Sequence, residues 1–242
     1  MKSPSSKKNI PALLIAGDDT LVAEYSLLAQ SSGYEVIPFT KIKSLKPLAD
    51  KISIALELTN LDLDKKKENL VAMDKALPAT TAIVTSSVNF SVLDQSGWIT
   101  MKHRLVGIAA LPTFLQNNLV EVAPSVHTVE STVDVVRKFF TSMKKETAIV
   151  EDRVGLVLPR ILCQIINEAM FAIQQDVASP KDIDTAMKLG TSYPAGPIEW
   201  GEKMGFNQVF AVLTALQSDL GEERYRVCPL LKQIATTGKF WG

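Results

Sequence analysis

Two places in this chain combine residue types and settings that could do chemistry, and both sit at strand ends. The first is a strand-to-helix turn, Gly17-Asp18-Asp19-Thr20-Leu21-Val22. Such a turn holds a dinucleotide when glycines let the backbone approach the pyrophosphate and the helix N-terminus offers free N–H groups. Here Gly17 is kept, but Asp19 stands at the second glycine position and Val22 at the third. Asp19 would put a Cβ and a carboxylate near two negative charges, so Asp18 and Asp19 are expected to cap the helix instead. The acidic residue that would grip a ribose at the end of the second strand is replaced by Thr40, which has a hydroxyl and no charge. The second place is Glu121 in the apolar run LVEV, readable as a carboxylate paired with Arg or Lys or as a base in an apolar cleft. Of the two histidines, His103 precedes its strand and lies about 20 Å from the far end of it. His127 follows the Glu121 strand, nearer that far edge, and is expected to be a surface loop residue.

The elements that must position these groups alternate. Residues 11–17 (PALLIAG), 34–40, 52–58 (ISIALEL) and 81–87 read as strands, with helical spacing over 21–30 and 61–77 between them. Further strands are expected at 105–110, 118–122 and 148–151, with a helix over 131–145. This is an α/β pattern, a Rossmann-like doubly wound sheet. After Asp152 the strand-type runs stop and an all-helical C-terminal domain begins with a helix over 156–177. The expected division is a tail at 1–9, a degenerate Rossmann-like domain at 10–152 and a helical domain at 153–242. Ser179 is a good N-cap, Pro180 suits the first helical position, and Gly190 is expected to close that helix, with Asp184 and Lys188 paired on its solvent side.

Composition narrows the function classes. Lys plus Arg and Asp plus Glu both total 26, so the net charge of zero gives no basic surplus for nucleic acid or an anionic membrane. Cys163 and Cys228 are the only cysteines, expected as buried free thiols in a reducing, cytoplasmic setting, with no metal site. The polar start MKSPSSKKN reads as neither a secretory signal nor a membrane span.

The stretch SPKDIDTAMKLG followed by YPAGPIEW, with Glu168 of INEAMF and the run RYRVCPLL at 224–231, resembles the C-terminal domain of the 3-hydroxyacyl-CoA dehydrogenases over residues 151–240. The resemblance implies an N-terminal Rossmann domain, NAD, oxidation of 3-hydroxyacyl-CoA in fatty acid metabolism, and a dimer through the helical domain. The family's base is a His on a strand reading GxHFFNP, oriented by a Glu twelve residues later. Here Ala109 of Gly107-Ile108-Ala109 occupies the His position and Glu121 the Glu position. Pro159 stands for the Asn of the PGFxxNR turn, and the Ser of SNTSS falls at Val88 or Asn89. The long helical hairpin that reaches over CoA shrinks to residues 41–51.

These departures imply a degenerate member with no cofactor in place, Gly17, Asp19 and Thr40 being the residues left at the NAD positions. An active 3-hydroxybutyryl-CoA dehydrogenase with unorthodox residues, or a structural or regulatory partner of an active paralogue, are the alternatives. An acyl-CoA ligand is implied, and so is a homodimer, because a helical unit of about 90 residues buries only ~60–65% of its unfolded surface.

Overall fold

In a computed structural model, residues 10–39 and 48–239 are described. Residues 1–9, Thr40 and most of the shortened crossover at 41–51 lie outside them. Seven strands form one sheet in the order β2-β1-β3-β4-β5-β6-β7. They are β1 (Ala12–Gly17), β2 (Glu35–Pro38), β3 (Ile52–Leu58), β4 (Ala82–Ser86), β5 (Leu105–Ile108), β6 (Leu119–Pro124) and β7 (Glu146–Ile149). The first five run parallel, β6 is antiparallel to β5, and β7 is parallel to β6. Helices α1 (Asp19–Ser31), α2 (Leu63–Ala76), α3 (Val92–Ser96) and α4 (Glu130–Ser142) complete this half. Strands β1, β3 and β4 are buried nearly throughout, which is why they read as continuous apolar runs. The five-residue α3 is too short to show a helical period and was not expected.

One buried ion pair joins sheet and helix. Glu57 on β3 and Lys66 on α2 are 0% and 2% exposed, and their charged atoms are 2.5 Å apart. Lys66 also donates to the Thr59 carbonyl, while Asn69 and the Thr59 N–H donate to Glu57. The charged face expected of α2 is thus partly an inward face.

The remainder is helical: α5 (Leu158–Gln174), α6 (Pro180–Thr191), α7 (Pro197–Met204), α8 (Phe206–Leu220) and α9 (Pro229–Thr237). Their core joins Cys163, Ile166, Met170, Val212 and Leu213 to Val88, Ala109 and Leu111 of the sheet half, so one apolar cluster spans the contact between the halves. Ser179 caps α6 through the Asp182 N–H, as its sequence requires. Gly190 does not close α6. The helix runs on to Thr191, and Ser192 takes the left-handed conformation at φ 58°. Nor does Asp184 pair with Lys188: its carboxylate accepts from the N–H groups of Ile198 and Glu199 at the start of α7, and Lys188 reaches Glu199. An orphan pair of helix N–H groups outcompetes an exposed i,i+4 cation for the same carboxylate.

Candidate functional site

The strand order reverses direction about β1, whose neighbours β2 and β3 continue on opposite sides, and a crevice opens at the C-terminal ends of such strands. Gly17 ends β1 there with φ 147°, and a Cβ on it would lie 2.5 Å from the Leu58 carbonyl carbon. Close approach of β3 therefore requires this glycine. Asp18 stands at the N-cap of α1 but makes no side-chain cap bond. Its Oδ2 turns away, accepting from the Asn60 N–H at 3.1 Å and from Gln208 Nε2 at 3.0 Å. Asn60 Nδ2 donates in turn to the Ala110 carbonyl and to Gln208 Oε1, and Ser86 donates to Asn60 Oδ1 at 2.6 Å. The expected capping by Asp18 is corrected: the better donors are the Asn60 N–H just past β3 and the Gln208 amide on α8. Asp19 is exposed in the first turn, and Val22 packs half-buried against the sheet core. A cavity of about 560 Å³ lies against this turn, lined by Gly17, Asp18, Asp19, Thr20, Lys203 and Gln208 among others.

At the far end of β5, the Ala109 N–H donates to the Glu121 carbonyl at 3.3 Å, so the structure brings these two positions together. Ala109 is 6% exposed and its methyl belongs to the apolar core. The Glu121 carboxylate is taken up elsewhere, accepting from the N–H groups of Val157 at 2.8 Å and Leu158 at 2.7 Å. Pro159 has no N–H to satisfy and is buried in the first turn of α5, while the Arg160 N–H bonds the Gly155 carbonyl. Glu121 is thus neither an Arg or Lys partner nor a free base but the acceptor at a helix N-terminus, where a negative charge is favoured. Replacing it by Gln turns one acceptor oxygen into an amide facing an N–H, and E121Q is expected to lose about 1–3 kcal/mol in denaturant unfolding. An unchanged midpoint would show that the two bonds carry no weight.

A void of about 10 Å³ lies beside Ala109 and Glu121. Tyr25 lines it too, but burial, with the Glu24 charge adding, pushes its hydroxyl well above the ordinary range, so it stays protonated. Neither histidine reaches this end. Because β6 is antiparallel to β5, Pro124 pairs with Val106, and the loop holding His127 lies at the same sheet edge as His103, whose carbonyl accepts from the Val129 N–H. The placement of His127 nearer the far edge is corrected accordingly, the local sequence giving no sign of the strand's reversal.

Between the halves a second cleft of about 710 Å³ is lined by Leu61, Leu63, Phe90, Val154, Phe210 and by Asn89 among others. Asn89, 7% exposed, donates from Nδ2 to the Asn60 carbonyl at 2.9 Å. Asn60 and Gln208, which organise the crevice, were missed in the sequence. The position of Asn60 just past the end of β3, at the reversal of strand order, is the signal that could have found it.

A mostly parallel sheet with its crevice at the reversal point, packed against a helical C-terminal region, defines a Rossmann-like doubly wound architecture. Comparison with known proteins refines this. Residues 30–153 match the family model of the 3-hydroxyacyl-CoA dehydrogenase NAD binding domain, and residues 155–241 that of the 3-hydroxyacyl-CoA dehydrogenase C-terminal domain. The chain belongs to the 3-hydroxyacyl-CoA dehydrogenase family. A probable 3-hydroxybutyryl-CoA dehydrogenase of Bacillus subtilis is 28% identical over 190 residues, 78% of this chain and 66% of that protein. A 3-hydroxyadipyl-CoA dehydrogenase of Escherichia coli is 49% identical over 86 residues, 36% of this chain and 18% of that protein. Among solved structures, FadB2 of M. tuberculosis has the same fold with a TM-score of 0.84 at 17% identity, covering 95% of this chain and 94% of that one.

The match to an NAD binding domain corrects the expectation that no cofactor is in place. The reason is in the backbone. With Asp18 turned toward β3 and α8, the first N–H groups of α1 have no side-chain cap and border the 560 Å³ cavity, a setting that suits a phosphate without further glycines. NAD held there would supply the hydride acceptor. No helix among the described residues is long and apolar enough to cross a membrane.

Proposed function

We propose that this chain is a 3-hydroxyacyl-CoA dehydrogenase family member that holds an acyl-CoA thioester between its two domains but has lost the proton-accepting half of the family's reaction. The observation behind this reading is the pair Ala109 and Glu121: a methyl group packed in the core, and a carboxylate committed to two N–H groups of α5. Hydride can leave a hydroxyl-bearing carbon only if some group takes the hydroxyl proton. The 710 Å³ cleft, where Leu61, Leu63, Phe90, Val154 and Phe210 alternate with polar residues such as Thr214 and Ser218, is the place for the thioester. The domains are taken to divide at 152/153, and buried Cys163 and Cys228 suit a reducing, cytoplasmic compartment. NADH-driven reduction of acetoacetyl-CoA is the test, and turnover at an ordinary enzymatic rate overturns the reading.

A homodimer through the helical domain belongs to the same proposal. Val157, Leu158 and Ile161 are exposed together at the start of α5, and Leu189 on α6 is 82% exposed. No residue of α6 is buried, although Ile183, Met187 and Leu189 give it apolar positions. Such surface favours a partner of the same kind. Light scattering at micromolar concentration is expected to give twice the chain mass of 26.5 kDa, and a 26.5 kDa species rejects the homodimer.

A further inference from the structure

The chain just past β5 is held in a strained turn. The Phe114 N–H donates to the Leu111 carbonyl at 3.1 Å, so Pro112 and Thr113 are the two central residues. Thr113 takes φ 72° and ψ −12°. A proline followed by that conformation makes a type II turn, whose third position calls for glycine because φ is positive there. Of the five non-glycine residues with positive φ among the described residues, Thr113 alone is β-branched, the kind of side chain least suited to it. Such a conformation persists only where its surroundings enforce it. Here the Thr113 N–H donates to both carboxylate oxygens of Glu24, at 3.0 and 3.1 Å. Turning the Pro112–Thr113 peptide over would give an unstrained type I turn, but it would swing that N–H away from the carboxylate. Glu24 lies on α1, whose start borders the 560 Å³ cavity, and Pro112 lines the same cavity with Gly17, Asp18, Asp19 and Thr20. One carboxylate thus ties two segments of the cavity wall together.

We infer that Glu24 is a positioning residue for the cofactor: by holding Thr113 in the left-handed conformation it fixes Pro112 relative to the start of α1, and so sets the shape of the cavity that receives NAD. The inference rests on reading that cavity as the cofactor site. Glu24 does not itself line the cavity, so its effect on NAD passes through the turn. Without the carboxylate the turn relaxes in part of the population, and the apparent affinity for the cofactor falls by the fraction that keeps the binding shape.

The test is fluorescence titration of the full chain with NADH, no thioester being present, with thermal unfolding followed alongside. Glu24→Ala is expected to weaken NADH binding about 5- to 20-fold. Glu24→Gln keeps one acceptor oxygen, should lose less, and stands in if the alanine variant does not fold. Thr113→Gly alone is expected to leave the affinity within about twofold of the unaltered chain, because glycine adopts the turn without a brace. For the same reason, adding Thr113→Gly to either Glu24 variant should bring the affinity back to within about twofold. A Glu24 with only a structural role would lower the unfolding temperature and leave NADH affinity unchanged, and that result overturns the inference. A loss of affinity that Thr113→Gly does not repair overturns it as well, while leaving the cofactor site standing. An unaltered chain that binds no NADH overturns both.

Discussion

With NADH saturating, the chain is expected to reduce acetoacetyl-CoA about 10²- to 10⁴-fold more slowly than a family member with its acid–base residue in place. Working at saturation separates the chemical step from cofactor affinity. The magnitude is that of one positioned proton donor or acceptor, because nothing else at the end of β5 can substitute. Tyr25 is shut in the sheet core at 2% exposed, Glu121 is engaged with α5, and both histidines lie at the opposite sheet edge. Restoring an imidazole by Ala109→His should not recover the rate. A void of about 10 Å³ cannot take the ring, and overpacking a core of this kind costs roughly 1–3 kcal/mol. A rate within tenfold of ordinary family members would mean that a proton donor has been overlooked.

Lys66→Met is expected to lower stability by about 3–5 kcal/mol, as removal of one partner of a buried ion pair does. The substitution keeps the length of the side chain, so little of the loss is a cavity. What remains is Glu57, 0% exposed, with Asn69 and the Thr59 N–H as donors but no cation. Adding Glu57→Gln should recover most of the loss, since a neutral pair has no charge to desolvate. Denaturant midpoints of the two single variants and the double variant form the cycle. A loss below about 1 kcal/mol for Lys66→Met would show that the neutral donors suffice.

The sequence made strands legible where burial on both faces leaves one apolar run: β3 falls on residues 52–58 as expected. The resemblance to the family's motifs, and not the local pattern, is what made Ala109 and Glu121 legible as partners, and the backbone bond between them bears the adjacency out. The sequence hid whatever depends on a partner far along the chain. Asp18 reads locally as a cap, yet its hydrogen bonds are to Asn60 and Gln208, the latter 190 residues away. Asp184 reads as an exposed ion-pair partner and instead caps α7. The same limit governed the cofactor. Counting glycines weighed the side chains of the turn, whereas the donors a phosphate needs are backbone N–H groups left open by where Asp18 points.

The Asp18, Asn60 and Gln208 bonds also bear on how the halves are joined. They tie the turn after β1, the residue just past β3 and the start of α8 into one polar knot set in an otherwise apolar contact, and the 560 Å³ and 710 Å³ cavities both touch Leu61 and Asn207 beside it. A buried knot of this kind fixes the register of one half on the other, which apolar packing alone leaves free to slide.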